Sequence, residues 1–94
     1  MAKIRDIKAD VSFLGVNAID VENGITDNDW DIVQLKQAMI ESSSKSVALT
    51  ISEKMNTAMR LKVCNLKDID ALITELRPEN EIFKSYAASG IEII

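Results

Sequence analysis

Val11-Ser12-Phe13-Leu14-Gly15-Val16 is a largely apolar run of strand length, closed by the polar Asn17. A run of this kind fits a strand buried on both faces, as strands of parallel sheets are. Downstream, Thr26-Asp27-Asn28-Asp29 reads as a helix start. Any of its first three side chains can cap the helix, and Asp29 and Asp31 suit the positive end of its dipole. Ile32, Val33, Leu35, Met39 and Ile40 then gather in an arc roughly 160° wide at helical spacing. The spacing predicts a helix over 28–43, frayed by Ser42-Ser43-Ser44, because serines compete for backbone hydrogen bonds. Ser46-Val47-Ala48-Leu49-Thr50-Ile51 follows as a second buried strand. Buried strand, amphipathic helix and buried strand in succession are the unit of a parallel sheet.

The same reading extends to both sides of this unit. Ala18 to Thr26 reads as a loop, with Glu22-Asn23-Gly24 as its turn signal. Ser52 to Ala58 reads as a loop or short helical turn. Met59, Leu61 and Val63 alternate with Arg60, Lys62 and Cys64, the period of an edge strand with one wet face. Leu66 to Asp70 reads as a turn, and Ala71-Leu72-Ile73-Thr74 as a third buried strand. Pro78 marks a second helix over 79–89, with Asn80 as a cap, Ile82, Phe83, Tyr86 and Ala87 as its buried stripe, and Gly90 as its stop. Ile91 to Ile94 completes the pattern as a strand. The expected fold is α/β: a three-layer αβα arrangement around a mainly parallel, Rossmann-like sheet. Ligands of such sheets bind at the carboxyl ends of the strands, which here carry Asn17, Ser52 to Lys54, and Thr74.

Composition narrows the chemistry. The chain has 94 residues, of which 47% are hydrophobic and 28% charged, which suits one globular domain. It has no histidine, which excludes histidine triads, histidine metal clusters and imidazole proton shuttles. Its single cysteine, Cys64, excludes a disulfide or a cysteine-rich zinc site, and the thiol reads as inert. The net charge of −4 lacks the basic patch a DNA-binding surface requires, since the longest basic cluster is Arg60-Leu61-Lys62. No apolar run approaches a membrane span, and Met1 to Asp6 holds no long apolar segment of a secretory signal, so a cytoplasmic protein without membrane contact is expected.

Several side chains are candidates for binding. The loop from Asn17 to Thr26 follows a buried strand and includes Gly24, so it can present backbone N–H groups and hydroxyls to an anion, though it has no phosphate-binding glycine fingerprint. Lys36 falls within the apolar arc of the first helix, where an ammonium must snorkel, pair with a carboxylate or face a polar pocket. Ser52 and Lys54 place a hydroxyl and an ammonium just past a strand's carboxyl end, which suits a phosphorylated ligand. Asp20, Asp68 and Asp70 have no spacing that pairs them and read as surface or turn residues.

Five segments in order resemble the C-terminal half of the effector-sensing domain of DeoR-family bacterial transcriptional repressors. They are Ala9-Asp10-Val11-Ser12-Phe13-Leu14-Gly15-Val16-Asn17-Ala18-Ile19-Asp20, Glu22-Asn23-Gly24-Ile25-Thr26, Val33-Gln34-Leu35-Lys36-Gln37-Ala38-Met39-Ile40, Ser52-Glu53-Lys54 and Leu66-Lys67-Asp68-Ile69-Asp70-Ala71-Leu72-Ile73-Thr74. The resemblance implies a fold similar to ribose-5-phosphate isomerase and glucosamine-6-phosphate deaminase that binds phosphorylated sugars without turning them over. It implies no cofactor, a homo-oligomer, and DNA contact only through a winged helix-turn-helix that has no counterpart here. It also implies that these residues form a fragment lacking the first half of the sensor and its glycine-rich phosphate loop. Asn17, Gly24, Thr26, Lys36, Ser52 and Lys54 are then the expected effector-binding residues. Lys54 would meet the phosphate or a sugar hydroxyl, Asn17 and Thr26 the sugar, and Gly24 a close backbone approach, while Lys36 would orient the loop from behind. Two positions depart from the family pattern: Ile51 replaces an aspartate and Ala18 a glycine. The alternatives are a sugar-phosphate isomerase or deaminase fragment, disfavoured for want of histidine, and an oligomerisation module without ligand.

Overall fold

The computed structural model describes residues 9–94, so the reading of Met1 to Asp6 lies outside the described residues. Among the described residues, seven strands and two α-helices follow one another as β1 (Ala9–Gly15), β2 (Ala18–Asp20), β3 (Gly24–Asp27), α1 (Trp30–Glu41), β4 (Ser43–Leu49), β5 (Leu61–Cys64), β6 (Ala71–Ile73), α2 (Phe83–Ala88) and β7 (Glu92–Ile93). Short 3-10 turns occupy Ser52–Lys54 and Leu66–Asp68. The main sheet has the order β1-β4-β6-β7, and each of its pairings is parallel. The predicted strands and both predicted helices are therefore present, within a few residues of the expected bounds.

Helix α1 begins where the acidic stretch directs it, but Asp29 is the cap rather than Thr26, Asp27 or Asn28. Its carboxylate accepts from the N–H groups of Asp31 and Ile32 at 2.9 and 3.3 Å. Helix α2 is shorter than predicted. Residues 78–82 form turns, in which Asn80 Oδ1 accepts from the Ile82 N–H at 3.0 Å, and Gly90 ends the segment at φ +93°.

Two expectations are corrected. Ala18 to Thr26 is not a loop: β2 and β3 form an antiparallel hairpin, and β5 joins β3 to give a second, antiparallel sheet of order β2-β3-β5. The alternating strand at 61–64 is an edge strand as expected, but of this small sheet. The three-layer arrangement also does not appear among the described residues. In register, Leu14, Ala48 and Leu72 share one face of the main sheet and Phe13, Val47 and Ala71 share the other. The first face joins Val33 of α1, Ile25 and Val63 of the small sheet, and Phe83 and Tyr86 of α2 in one buried core. On the second face Phe13 stays 56% exposed and Val11 41% exposed. On that face Val47 and Ala71 are buried, so β4 and β6 are covered on both faces as expected, and β1 is the strand whose second face is open.

Candidate functional site

The parallel strands β1, β4 and β6 end on the same side, and their carboxyl ends open a cleft of about 710 Å³. Gly15 to Asn17 follow β1 into it, Leu49 to Ile51 follow β4, and Ile73 to Glu75 follow β6. Ile32 and Lys36 enter from α1, and Lys54 from the turn after β4. This is where ligands of parallel α/β sheets bind, and the size suits a small ligand.

One wall is a closed polar network. Asp27 ends β3 and is 4% exposed. Its carboxylate accepts from Asn17 Nδ2 at 2.8 Å and from the N–H groups of Asn28 and Asp29 at 2.7 and 3.1 Å. Lys36 Nζ lies 3.5 Å from the same carboxylate and donates to the Gly15 carbonyl at 2.5 Å. Burial pushes the Asp27 carboxyl up, but the Asn17 amide, the two backbone N–H groups and the Lys36 charge outweigh it and hold it below the usual carboxylate range. Asp27 therefore stays charged and fixes both Asn17 and Lys36. Of the three fates open to a lysine in the apolar arc, the structure shows pairing with a carboxylate.

The facing wall is looser. Ser52–Lys54 forms its 3-10 turn through the Lys54 N–H to the Ile51 carbonyl at 3.0 Å. Glu75, just past β6, accepts from the Ser52 N–H at 2.8 Å, from Ser52 Oγ at 2.6 Å and from Thr74 Oγ1 at 2.6 Å. The hydroxyls of Ser52 and Thr74, with the Ser52 N–H, draw the Glu75 pKa down to about 2. Among the described residues the Lys54 ammonium has no hydrogen-bond or ion-pair partner.

The cleft thus brings together Asn17, Lys36 and Lys54, with Ser52 held against Glu75 at its rim. Gly24 and Thr26 are placed elsewhere and do not line it. Gly24 has φ +72°, and a Cβ there would stand 2.1 Å from the Cys64 carbonyl oxygen, so its close approach is to β5 and not to a ligand. Thr26 is buried, and its hydroxyl accepts from the Met59 N–H at 2.8 Å. Asp27 and Glu75 were missed by sequence reasoning. The signal for Asp27 was Lys36 itself, whose place in an apolar arc calls for a buried carboxylate. Burial, with Asp68 nearby, pushes the Cys64 thiol up to about 11, which keeps it protonated and unreactive.

Residues 1–76 match the sequence model of the DeoR C terminal sensor domain. The chain is 28% identical over 85 residues to the HTH-type transcriptional regulator GlpR of Haloferax volcanii, covering 90% of this chain and 33% of that protein. It is 29% identical over 85 residues to a putative aga operon transcriptional repressor of Escherichia coli, covering 90% and 32%. It is 32% identical over 76 residues to the glycerol-3-phosphate regulon repressor of Haemophilus influenzae, covering 81% and 30%. The chain spans about a third of the length of these relatives. Among the described residues no helix is long and apolar enough to cross a membrane. The matched family covers both walls of the cleft and the hairpin behind it, and this chain belongs to the DeoR C-terminal sensor domain family of transcriptional regulators.

Proposed function

We propose that the chain is the C-terminal part of an effector-sensing domain of a DeoR-type repressor, and that the cleft at the ends of β1, β4 and β6 takes a phosphorylated sugar. The observation that carries this reading is Lys54: an ammonium in the cleft, at the carboxyl edge of a parallel sheet, with no partner among the described residues. Lys54 meets the phosphate, while Asn17, Thr50 and Thr74 offer an amide and hydroxyls to the sugar. Lys36 orients the β1 end from behind, and Ser52 fixes the turn that presents Lys54. Gly24 and Thr26 serve the site indirectly, by holding the hairpin that follows Asn17 and leads into Asp27. The regulon named for the Haemophilus influenzae relative, glycerol 3-phosphate, is a phosphorylated polyol of the same chemical kind.

A catalytic reading is weaker on chemical grounds. General acid catalysis is most efficient from a group that titrates near the working pH. Glu75 is held at about 2 and Asp27 below the ordinary range, so neither carboxylate of the site is poised as an acid. The relatives are transcriptional regulators, and binding here shifts the balance between DNA-competent and DNA-incompetent assemblies. DNA contact belongs to a helix-turn-helix outside these residues. The exposed Val11 and Phe13 of β1 support association into a homo-oligomer.

The test is isothermal titration with ribose 5-phosphate, glucose 6-phosphate and glycerol 3-phosphate. A charge-assisted contact contributes about 1.5–3 kcal/mol, so Lys54→Ala weakens the affinity of the tightest of these by roughly ten- to a hundred-fold. Unchanged affinity moves the phosphate site away from this cleft, and measurable isomerisation of any probe overturns the sensing reading.

A further inference from the structure

Tyr86 is the largest fully buried side chain of the described residues, and its hydroxyl is the one polar atom that α2 sends across the core. The oxygen accepts from the Asn56 N–H at 3.0 Å. Its hydrogen is within reach of Asn56 Oδ1 at 2.9 Å and the Ile19 carbonyl at 3.2 Å. Burial raises the pKa of the hydroxyl above its ordinary value, so it remains a donor.

These partners lie on the two segments that carry the site. Ile19 is two residues beyond Asn17, and Asn56 is two residues beyond Lys54. The segments also touch directly: Ile19 forms a bridge with Met55, and the Thr57 N–H donates to the Ile19 carbonyl at 3.2 Å. Asn56 adopts φ 60°, a left-handed conformation that costs a non-glycine residue free energy unless its surroundings hold it there. The hydrogen bonds to Tyr86 hold it. They are the hydrogen bonds that tie the turn after Lys54 to α2.

We propose that the Tyr86 hydroxyl is a positioning group for the effector site, setting the spacing of Asn17 and Lys54 from within the core. The inference rests on the cleft being the sensing site. It extends that site to α2, which lies beyond the residues 1–76 matched by the family. Helix α2 thereby becomes an element through which a change elsewhere in the protein alters effector affinity.

The experiment compares Tyr86→Phe with Phe83→Leu in the full chain. Tyr86→Phe keeps the ring and deletes the hydroxyl, whereas Phe83→Leu weakens the same helix's packing and touches none of these hydrogen bonds. Amide exchange is read at residues 54–57 without ligand, and affinity is read with ribose 5-phosphate, glucose 6-phosphate and glycerol 3-phosphate. Tyr86→Phe is expected to speed exchange at 54–57 at least about tenfold and to weaken the tightest probe about fivefold. Phe83→Leu is expected to lower Tm at least as much and to leave both readouts near wild type. Wild-type exchange in Tyr86→Phe, or the same changes in both variants, overturns the proposal. If the wild type binds none of the probes, the sensing reading fails, and the exchange comparison alone still decides whether the hydroxyl clamps the turn.

Discussion

Lys36 and Lys54 enter one cleft from opposite walls and are treated differently by the fold. The Lys36 side chain is 13% exposed, bound to the Gly15 carbonyl and set against a buried carboxylate. Lys54 stands on a three-residue turn whose own geometry is held by neighbours, while its ammonium is left without a partner among the described residues. A buried ammonium must be paired, because desolvation without compensation costs more than the fold can supply. A partly exposed one need not be, because water solvates it until a ligand arrives. The first wall is therefore a braced frame, while the second leaves its cation uncommitted, and the two lysines are not interchangeable parts of one positive patch.

The largest way to break this contrast is to remove the frame. Asp27→Ala removes the buried carboxylate on which the Lys36 ammonium, the Asn17 amide and two backbone N–H groups converge. Deleting one partner of such a buried pair costs about 3 kcal/mol, visible in urea unfolding as a lower midpoint with unchanged slope. A loss below about 1 kcal/mol means the network is ornamental and the two walls are alike.

Lys36→Met sharpens the contrast from the other side. Asp27 keeps three donors in this variant, so stability changes by less than about 1 kcal/mol. The β1 end loses the cation that holds the Gly15 carbonyl, and effector affinity falls about threefold to tenfold by titration, less than for Lys54→Ala. A variant that is more stable and binds as well as wild type shows that Lys36 only snorkels.

These differences also explain what the sequence could reveal. The apolar runs at 11–16, 46–51 and 71–74 and the arc of α1 specify their elements locally, so strands, helices and parallel order were legible. The hairpin was not, because β2 is three residues long and β3 four, and what holds them is pairing with β5 and burial in the core. Gly24 was legible as a turn residue, and Asp20 does accept from the Asn23 N–H at 2.6 Å, but the reason for glycine there is the Cys64 carbonyl, forty residues away along the chain. The open face of β1 was misread because Val11 and Phe13 look the same in sequence whether or not anything covers them. At the site, Lys36 and Lys54 were legible from their position in an element. Asp27, Glu75 and Tyr86 were not, because their roles are contacts between segments that are distant in sequence.

The smallest predicted effect tests the looser wall. Glu75 lies at the surface, so its contacts with Ser52 shift stability little, but its charge state is directly readable. Its pKa of about 2 lies below the ordinary value of 4.5 because the folded chain donates three hydrogen bonds to the carboxylate. A depressed folded pKa means that the contribution is fully present above pH 4.5 and is lost as pH falls toward 2. The Ser52 amide resonance should therefore hold constant down through pH 4.5 and move with a midpoint near 2. Glu75→Gln should abolish that titration while leaving the Asp27 network, followed at the Asn28 and Asp29 amides, unchanged. A midpoint near 4.5 would show that Glu75 is unbound in solution. The turn carrying Lys54 would then be held by its own backbone hydrogen bonds and by the contacts of Met55, Asn56 and Thr57 with Ile19 and Tyr86.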